Sequence, residues 1–468
     1  MIDELKPYPE YKESGLHWLG KVPEHWDIRR IKFLLREIDS RSTSGKEQLL
    51  RVSQYTGVTQ RKSVDGSDEP DTRAATLVGY KKVCANDLVI NIMLAWNGSL
   101  GISRYEGVAS PAYCVYRFNQ NVLPWYYHEL LRLPVYKGRI KVASTGVVES
   151  RLRLYSEELG RVEAILPPLE EQAAIVRFLD HATRRLDKAI RDKRKIIALL
   201  NEQKQAIIHR AVTRGLDPDV PLKDSCIPWL GQIPAHWDLR PLKQLLVRMD
   251  YGTSENARGE GTVRVLTMGH IQNGKILMPT RGGLDSVPPG LLLEENDLLF
   301  NRTNSPELVG KVGLFSGTAS DEITFASYLV RLRTKPENNP FWLNYLLNST
   351  QFWSYARSQA LVSLHQANLN STRYGQMFLP VPPRGEQDVI AEQIRVQSGG
   401  IERTTSRIER EIELLREYRT RLIADVVTGK LDVREAATRL PEVGESSVEP
   451  DVAELKESGE ELAEEETA

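Results

Sequence analysis

The stretch WLGKVPEHWDIRRIKFLL, Trp18 to Leu35, returns as WLGQIPAHWDLRPLKQLL, Trp229 to Leu246, with eleven of eighteen positions identical. A spacing of 211 residues is far longer than the roughly 20–50 residues of a solenoid or propeller unit. The repeat therefore marks whole domains. Five more anchors follow in the same order. NDLVINI (Asn86–Ile92) matches NDLLFNR (Asn296–Arg302), and PAYCVYRF (Pro111–Phe118) resembles FASYLVRL (Phe325–Leu332). LPWYYHELL is echoed by NPFWLNYLL, LPPLEEQAAI (Leu166–Ile175) by VPPRGEQDVI (Val381–Ile390), and AVTRGLD (Ala211–Asp217) by VVTGKLD (Val426–Asp432). A tandem duplication is the economical account.

Each half has one plan: a body mixing short strands, turns and short helices, then a prolyl pair, then a long helix. Proline is tolerated only in the first turn of a helix, so Pro167–Pro168 and Pro382–Pro383 mark starts. Glu170, Glu171 and Glu386 follow at the positive end of the helix dipole, and glycine closes each helix in TRGLD and TGKLD. Apolar residues recur at heptad spacing: Ile175, Leu179, Ala182, Leu186, Ala189, Ile196, Leu200 and Ile207 in the first, interrupted by Lys193 and Gln203. In the second they are Ile390, Ile394, Ile401, Thr405, Ile408, Ile412, Leu415, Leu422 and Val426, interrupted by Gln397 and Arg419. Sustained heptads indicate coiled coil. With one seam per half, each helix is the natural mate of the other, antiparallel so that the bodies do not crowd; pairing with another chain is the alternative. The expected divisions are 1–165 and 215–380 for the bodies, 166–214 and 381–432 for the helices, and 433–468 for an acidic, disordered tail.

The reacting groups of an enzyme are missing. No Walker phosphate loop, HExxH, GxSxG or GxGxxG occurs, nor the Asn-Pro-Pro-aromatic run of an adenine methyltransferase. The eight histidines lack metal-ligand spacing; His25 and His236 read as polar-tipped wedges beside Trp26 and Trp237. Cys84, Cys114 and Cys226 are too scattered for a disulfide framework or zinc site, which reads as buried thiols in a reducing cytoplasm. There is no long uncharged apolar run, and the N-terminus lacks a signal-peptide pattern. The net charge of −1 hides an asymmetry: after Leu440 stand eleven acidic residues and one lysine, leaving 61 basic against 52 acidic residues before it. A body at +9 with an acidic tail suits a polyanion binder. No catalytic residue and no metal ligand is expected.

The opening YPEYKESGLHWLGKVPEHWDIRRIKFL, the LPPLEEQ entry to a heptad helix and the closing VVTGKLDVRE together resemble the specificity subunit of type I restriction–modification systems, from Tyr8 to about Leu440. The resemblance implies an α/β tandem repeat. Each body is then a target recognition domain with a twisted β-sheet reading half of a split sequence in double-stranded DNA, and the two helices form an antiparallel coiled-coil spacer. It further implies a chain without catalysis, docked to two methyltransferase (modification) subunits and through them to restriction (motor and nuclease) subunits. Those partners would use S-adenosylmethionine, ATP and magnesium, while this chain binds no cofactor. The residues alone also leave open a coiled-coil scaffold with protein-binding ends, a free-standing DNA-binding protein and a nuclease with an unrecognised site.

Bases are read by Arg, Asn and Gln side chains, while Lys, Ser and Thr largely position the phosphate backbone. Polar, glycine-punctuated loops rich in these residues are the candidates. In the first half these are Gln54, Tyr55, Gln60, Arg61 and Lys62, with Trp96 and Asn97. In the second they are His270, Gln272, Asn273 and Lys275, with Asn301, Arg302, Thr303 and Asn304.

Overall fold

Pairing of distant strands ties the two strongest repeated motifs to one another. The computed structural model describes residues 5–61, 76–148, 151–255, 259, 261–280, 282–318, 321–363 and 366–440. In the first half, Asp27–Arg30 directly follows the His-Trp pair and lies antiparallel to Glu163–Leu166, the strand that runs into Pro167. In the second half, Asp238–Pro241 pairs in the same way with Phe378–Val381, ahead of Pro382. Each opening is thereby held against the entrance of the long helix of its own half.

The chain forms two compact units. One takes the residues up to Arg191 and those from Ile412 on; the other is Asp192–Glu411. Both long helices, Leu169–Arg214 and Arg384–Val427, run across this division. One expected boundary moves. Val433 is fully buried, Arg434–Thr438 is helical and Leu440 is buried in the core of the first unit, so residues 433–440 are folded and not part of a tail. The rest of the acidic segment, 441–468, lies outside the described residues.

The first unit is built on a four-stranded antiparallel sheet in the order Leu35–Glu37, Tyr113–Phe118, Leu88–Asn91, Leu100–Ile102. The second carries the same four as Leu246–Tyr251, Leu329–Thr334, Leu298–Asn301 and Val312–Leu314, then adds a hairpin, Ile271–Gln272 with Lys275–Ile276. Its turn is Asn273–Gly274, both at positive φ (50° and 76°), as a two-residue type I′ hairpin requires. The repeated Asn-Asp dipeptide has one job in both sheets. Asn86 and Asn296 each take φ 69° in the turn before a central strand. Asp87 then accepts two bonds from Arg117 on the neighbouring strand at 2.8 and 2.9 Å, and Asp297 two from Arg333 at 2.7 and 2.8 Å.

Within each unit the two helices run antiparallel. Asp187 meets Arg419 at 3.6 Å in the first; in the second Lys193 meets Glu411 and Lys204 meets Glu402, both at 2.6 Å. Ascending numbers on one helix face descending numbers on the other. The polar interruptions at Lys193 and Arg419 are thus ion-pair rungs between the helices. Ile175, Leu179, Ile394, Ile412 and Leu422 are buried, and Leu186, Leu200, Ile207, Ile401, Ile408 and Leu415 are partly buried. Ile196 corrects the predicted seam: it is 46% exposed, Ile197 being more covered, and Lys204 replaces Gln203 just as Ser398 replaces Gln397. A helix of 3.6 residues per turn drifts about 20° per heptad from a strict 3.5 repeat, which moves the buried stripe on by one position. Cys84 and Cys226 are also exposed rather than buried, since both stand in turns; Cys226 itself has φ 57°. Among the described residues, no helix is long and apolar enough to cross a membrane.

Candidate nucleic-acid interface

The ribbon that joins opening to helix sets up a buried clamp. Glu171, in the first turn of Leu169–Arg214, accepts from Trp26 Nε1 at 2.9 Å and Tyr8 Oη at 3.1 Å, and lies 2.6 Å from His25 Nε2. In the second half Trp237 Nε1 donates to Glu386 at 3.0 Å and His236 Nε2 lies 2.9 Å from it. The next residue is equally spoken for. Gln172 donates to Pro167 O and accepts from Leu123 N; Gln387 donates to Pro382 O and accepts from Asn339 N. Trp26 and Trp237 are fully buried. The residues that the halves share are therefore frame, and the wedge reading of His25 and His236 extends to a carboxylate that neither motif reveals alone.

The candidate base-contacting residues stand where the halves differ. In the first, Gln54 and Tyr55 form the turn between Leu50–Ser53 and Gly57–Gln60, while Trp96 and Asn97 lie in the turn Ala95–Asn97. Arg132 fastens these loops together. At the C-terminus of the helix Pro124–Leu131, it donates to the carbonyls of Ser53, Gln54, Tyr55, Gly98 and Leu100 at 2.8–3.5 Å. Tyr55 is exposed, and the Lys141 ammonium lies 5.4 Å from the ring centre of Trp96. Asn97 spends its carbonyl on Ser99 and is a turn residue. Gln60 and Arg61 stand at the opposite end of the ribbon; Lys62 lies outside the described residues.

Beneath these loops His128 Nδ1 accepts from Ile102 N at 3.1 Å. Burial, with help from Arg132 and Arg104, drives this imidazole down to about 3. The unfolded chain takes up the proton near the ordinary value of about 6.5. His128 therefore contributes its stability in full above that pH and loses it as the pH falls toward the folded value. We expect the unfolding free energy of the first unit to fall below pH 6.5 by on the order of 1 kcal/mol per pH unit. A His128→Asn variant should flatten that slope in urea titrations run across pH 4–7.

The structure separates the two candidate groups of the second half. His270 Nδ1 accepts from Thr267 N within its own turn. Lys275 reaches Glu402 of the long helix at 3.4 Å, and Gly274 O accepts from Asn344 Nδ2, so the hairpin carrying Gln272 and Asn273 is tied down beside that helix. Asn301–Asn304 lies at the far end of the central strand. There Asn301 is 1% exposed and its Oδ1 has no partner among the described residues. Thr303 Oγ1 accepts from Asn368 Nδ2 at 3.0 Å, and Asn304 caps Ser305 N. The Arg302 guanidinium lies 5.0 Å from the ring centre of Tyr251, whose hydroxyl is bonded to Ser371. Arg132, Tyr251 and Asn368 had no place among the predicted site residues. Tyr251, in MDYGTSEN, lies in another polar, glycine-bearing segment, a readable signal; Arg132, between leucines, gave none.

No family model matches the sequence. Over 231 residues it is 23% identical to the putative type I restriction enzyme MjaX specificity subunit of Methanocaldococcus jannaschii, covering 48% of this chain and 53% of that protein, about half its length. Over 398 residues it is 22% identical to the type I restriction enzyme StySPI specificity subunit of Salmonella potsdam and 21% identical to the EcoKI specificity subunit of Escherichia coli. Those matches cover 80% of this chain and 82% of each relative. A chain from a solved structure, described as the structural basis of complex assembly and conformational transition of the type I R-M system, superposes with a TM-score of 0.64 at 15% identity. It covers 88% of this chain and 99% of that one. The resemblance carried by the repeat thus extends to named relatives and to the fold.

Proposed function

We propose that this chain, related in sequence to type I restriction enzyme specificity subunits and sharing the fold found in such a system, is the DNA-reading component of a restriction–modification complex. Each half reads one part of a split target in double-stranded DNA. The helices set the gap between the parts and offer docking surfaces to two methyltransferase subunits, through which restriction subunits join. Catalysis resides in those partners, with S-adenosylmethionine, ATP and magnesium as their cofactors.

One observation carries this reading. The halves keep the same frame, His-Trp on Glu and Asn-Asp on Arg, while the loops on that frame differ in chemistry: Ile92 follows Asn91 where Arg302 follows Asn301. Two domains reading unlike half-sites need such a pattern. DNA presents equivalent faces about 34–36 Å apart, one helical turn, and linking two modest readings raises their joint selectivity through effective concentration. The test is to map methylated bases in the host genome with and without this gene. We expect one bipartite motif, two short base sets around an unread gap, to lose methylation when the gene is removed. An unchanged methylation map rejects the reading.

A further inference from the structure

We propose that Arg302 is the residue with which the second half selects a guanine, Tyr251 serving as its platform; this rests on the DNA-reading function above. The other arginines of the same sheet are committed, Arg331 fully buried and Arg333 partly buried. Arg333 binds Asp297 and Glu294, and Arg331 binds Asp250 and the carbonyls of Gly290 and Leu292. Arg302 is also partly covered, yet among the described residues its guanidinium donates no hydrogen bond. Its neighbour is the face of Tyr251, itself fixed through Ser371.

An aromatic face that fixes the guanidinium plane leaves its edge donors directed and unpaired. A planar pair of acceptors is what such a fork fits, and guanine O6 and N7 in the major groove form that pair. The neighbouring backbone is held as well, because Leu369 N donates to Arg302 O, Arg302 N donates to Tyr328 O, and Thr303 pairs with Asn368. Its counterpart in the first half is Ile92, whose side chain has no donor, and Asn91 there turns its carbonyl back onto Met93 N, whereas Asn301 Oδ1 has no partner among the described residues. The guanine contact is therefore confined to one half-site.

Methylated-base mapping in hosts carrying the wild-type gene, no gene, Arg302→Ala, Arg302→Lys or Arg302→Gln tests this. A lost bidentate contact lowers discrimination by roughly 5- to 150-fold, the equivalent of about 1–3 kcal/mol. The alanine variant should relax one G·C position in one half-site by that factor and leave the other half-site untouched. Lysine, with charge but no fork, should not restore it, and glutamine should move the preference toward A·T. If alanine weakens methylation at all sites alike and lysine restores it, Arg302 holds a phosphate and the inference is overturned. A guanine preference unchanged in the glutamine variant overturns it too, even where the alanine variant fails to accumulate. Methylation that does not depend on the gene rejects the underlying reading instead, an outcome visible in the wild-type comparison alone.

Discussion

Replacing Glu171 with alanine is expected to destabilise the first unit by about 2–6 kcal/mol, the cost of leaving two buried donors without an acceptor. The change strands the indole N–H of Trp26 and the hydroxyl of Tyr8, both buried, and removes the carboxylate beside His25 and the more distant of two that face Arg434. Each unsatisfied buried donor costs about 1–3 kcal/mol. Glu386 holds the corresponding place in the second unit with two partners, His236 and Trp237, and its side chain is partly open to water. Glu386→Ala should therefore cost less, about 1–2 kcal/mol. If the carboxylates acted only on the helix dipole, each would contribute about 0.3–1 kcal/mol, both variants would be alike, and exposed Glu170→Ala would match them. Denaturant titration read by hydrogen exchange, peptide by peptide in each unit, separates the cases. Equal small losses at all three positions would exclude the clamp.

That clamp also shows where sequence reasoning stops. The HW and EEQ motifs were each visible as repeats, but 145 residues separate Trp26 from Glu171, and only the register of the Asp27–Arg30 ribbon brings them together. The antiparallel helices were legible because a seam is a local periodic property; the shift from Ile196 to Ile197 was not, because a heptad template does not carry the 3.6-residue drift. Loop composition gives the same signature to residues bonded within the frame and to the proposed reader Arg302. His270 and Asn97 are consumed in their own turns and Lys275 by Glu402, while Arg302 keeps its donors unpaired among the described residues. What distinguishes them is the partner each meets in space, and type and spacing do not encode that.

Arg132→Ala should produce the largest change at the proposed DNA interface. Five carbonyls from two loops converge on this one guanidinium, and Glu129, whose carboxyl burial pushes up, loses a cation that opposes that shift. Water can replace the donor at the outer carbonyls but not at Leu100, which is fully buried in the core. The expected loss is about 3–5 kcal/mol, concentrated locally. Amides of residues 53–55 and 98–100 should exchange faster while those of Glu163–Leu166 remain protected. Arg132→Lys should recover only a fraction, because a single ammonium cannot span both loops. The second half provides the internal control. Its counterpart is Asn348, a shorter side chain that accepts from Val312 N and donates to Val312 O. Beyond that strand it bonds only Asn344 of its own helix, so Asn348→Ala should loosen Val312–Leu314 first and the Asn344-held Gly274 turn at most indirectly. In the methylation map Arg132→Ala should blur several positions of one half-site together, where Arg302→Ala blurs one position of the other. If Arg132→Ala leaves both half-sites as sharp as in the wild type, the loops carrying Gln54, Tyr55 and Trp96 are not the reading surface of the first half.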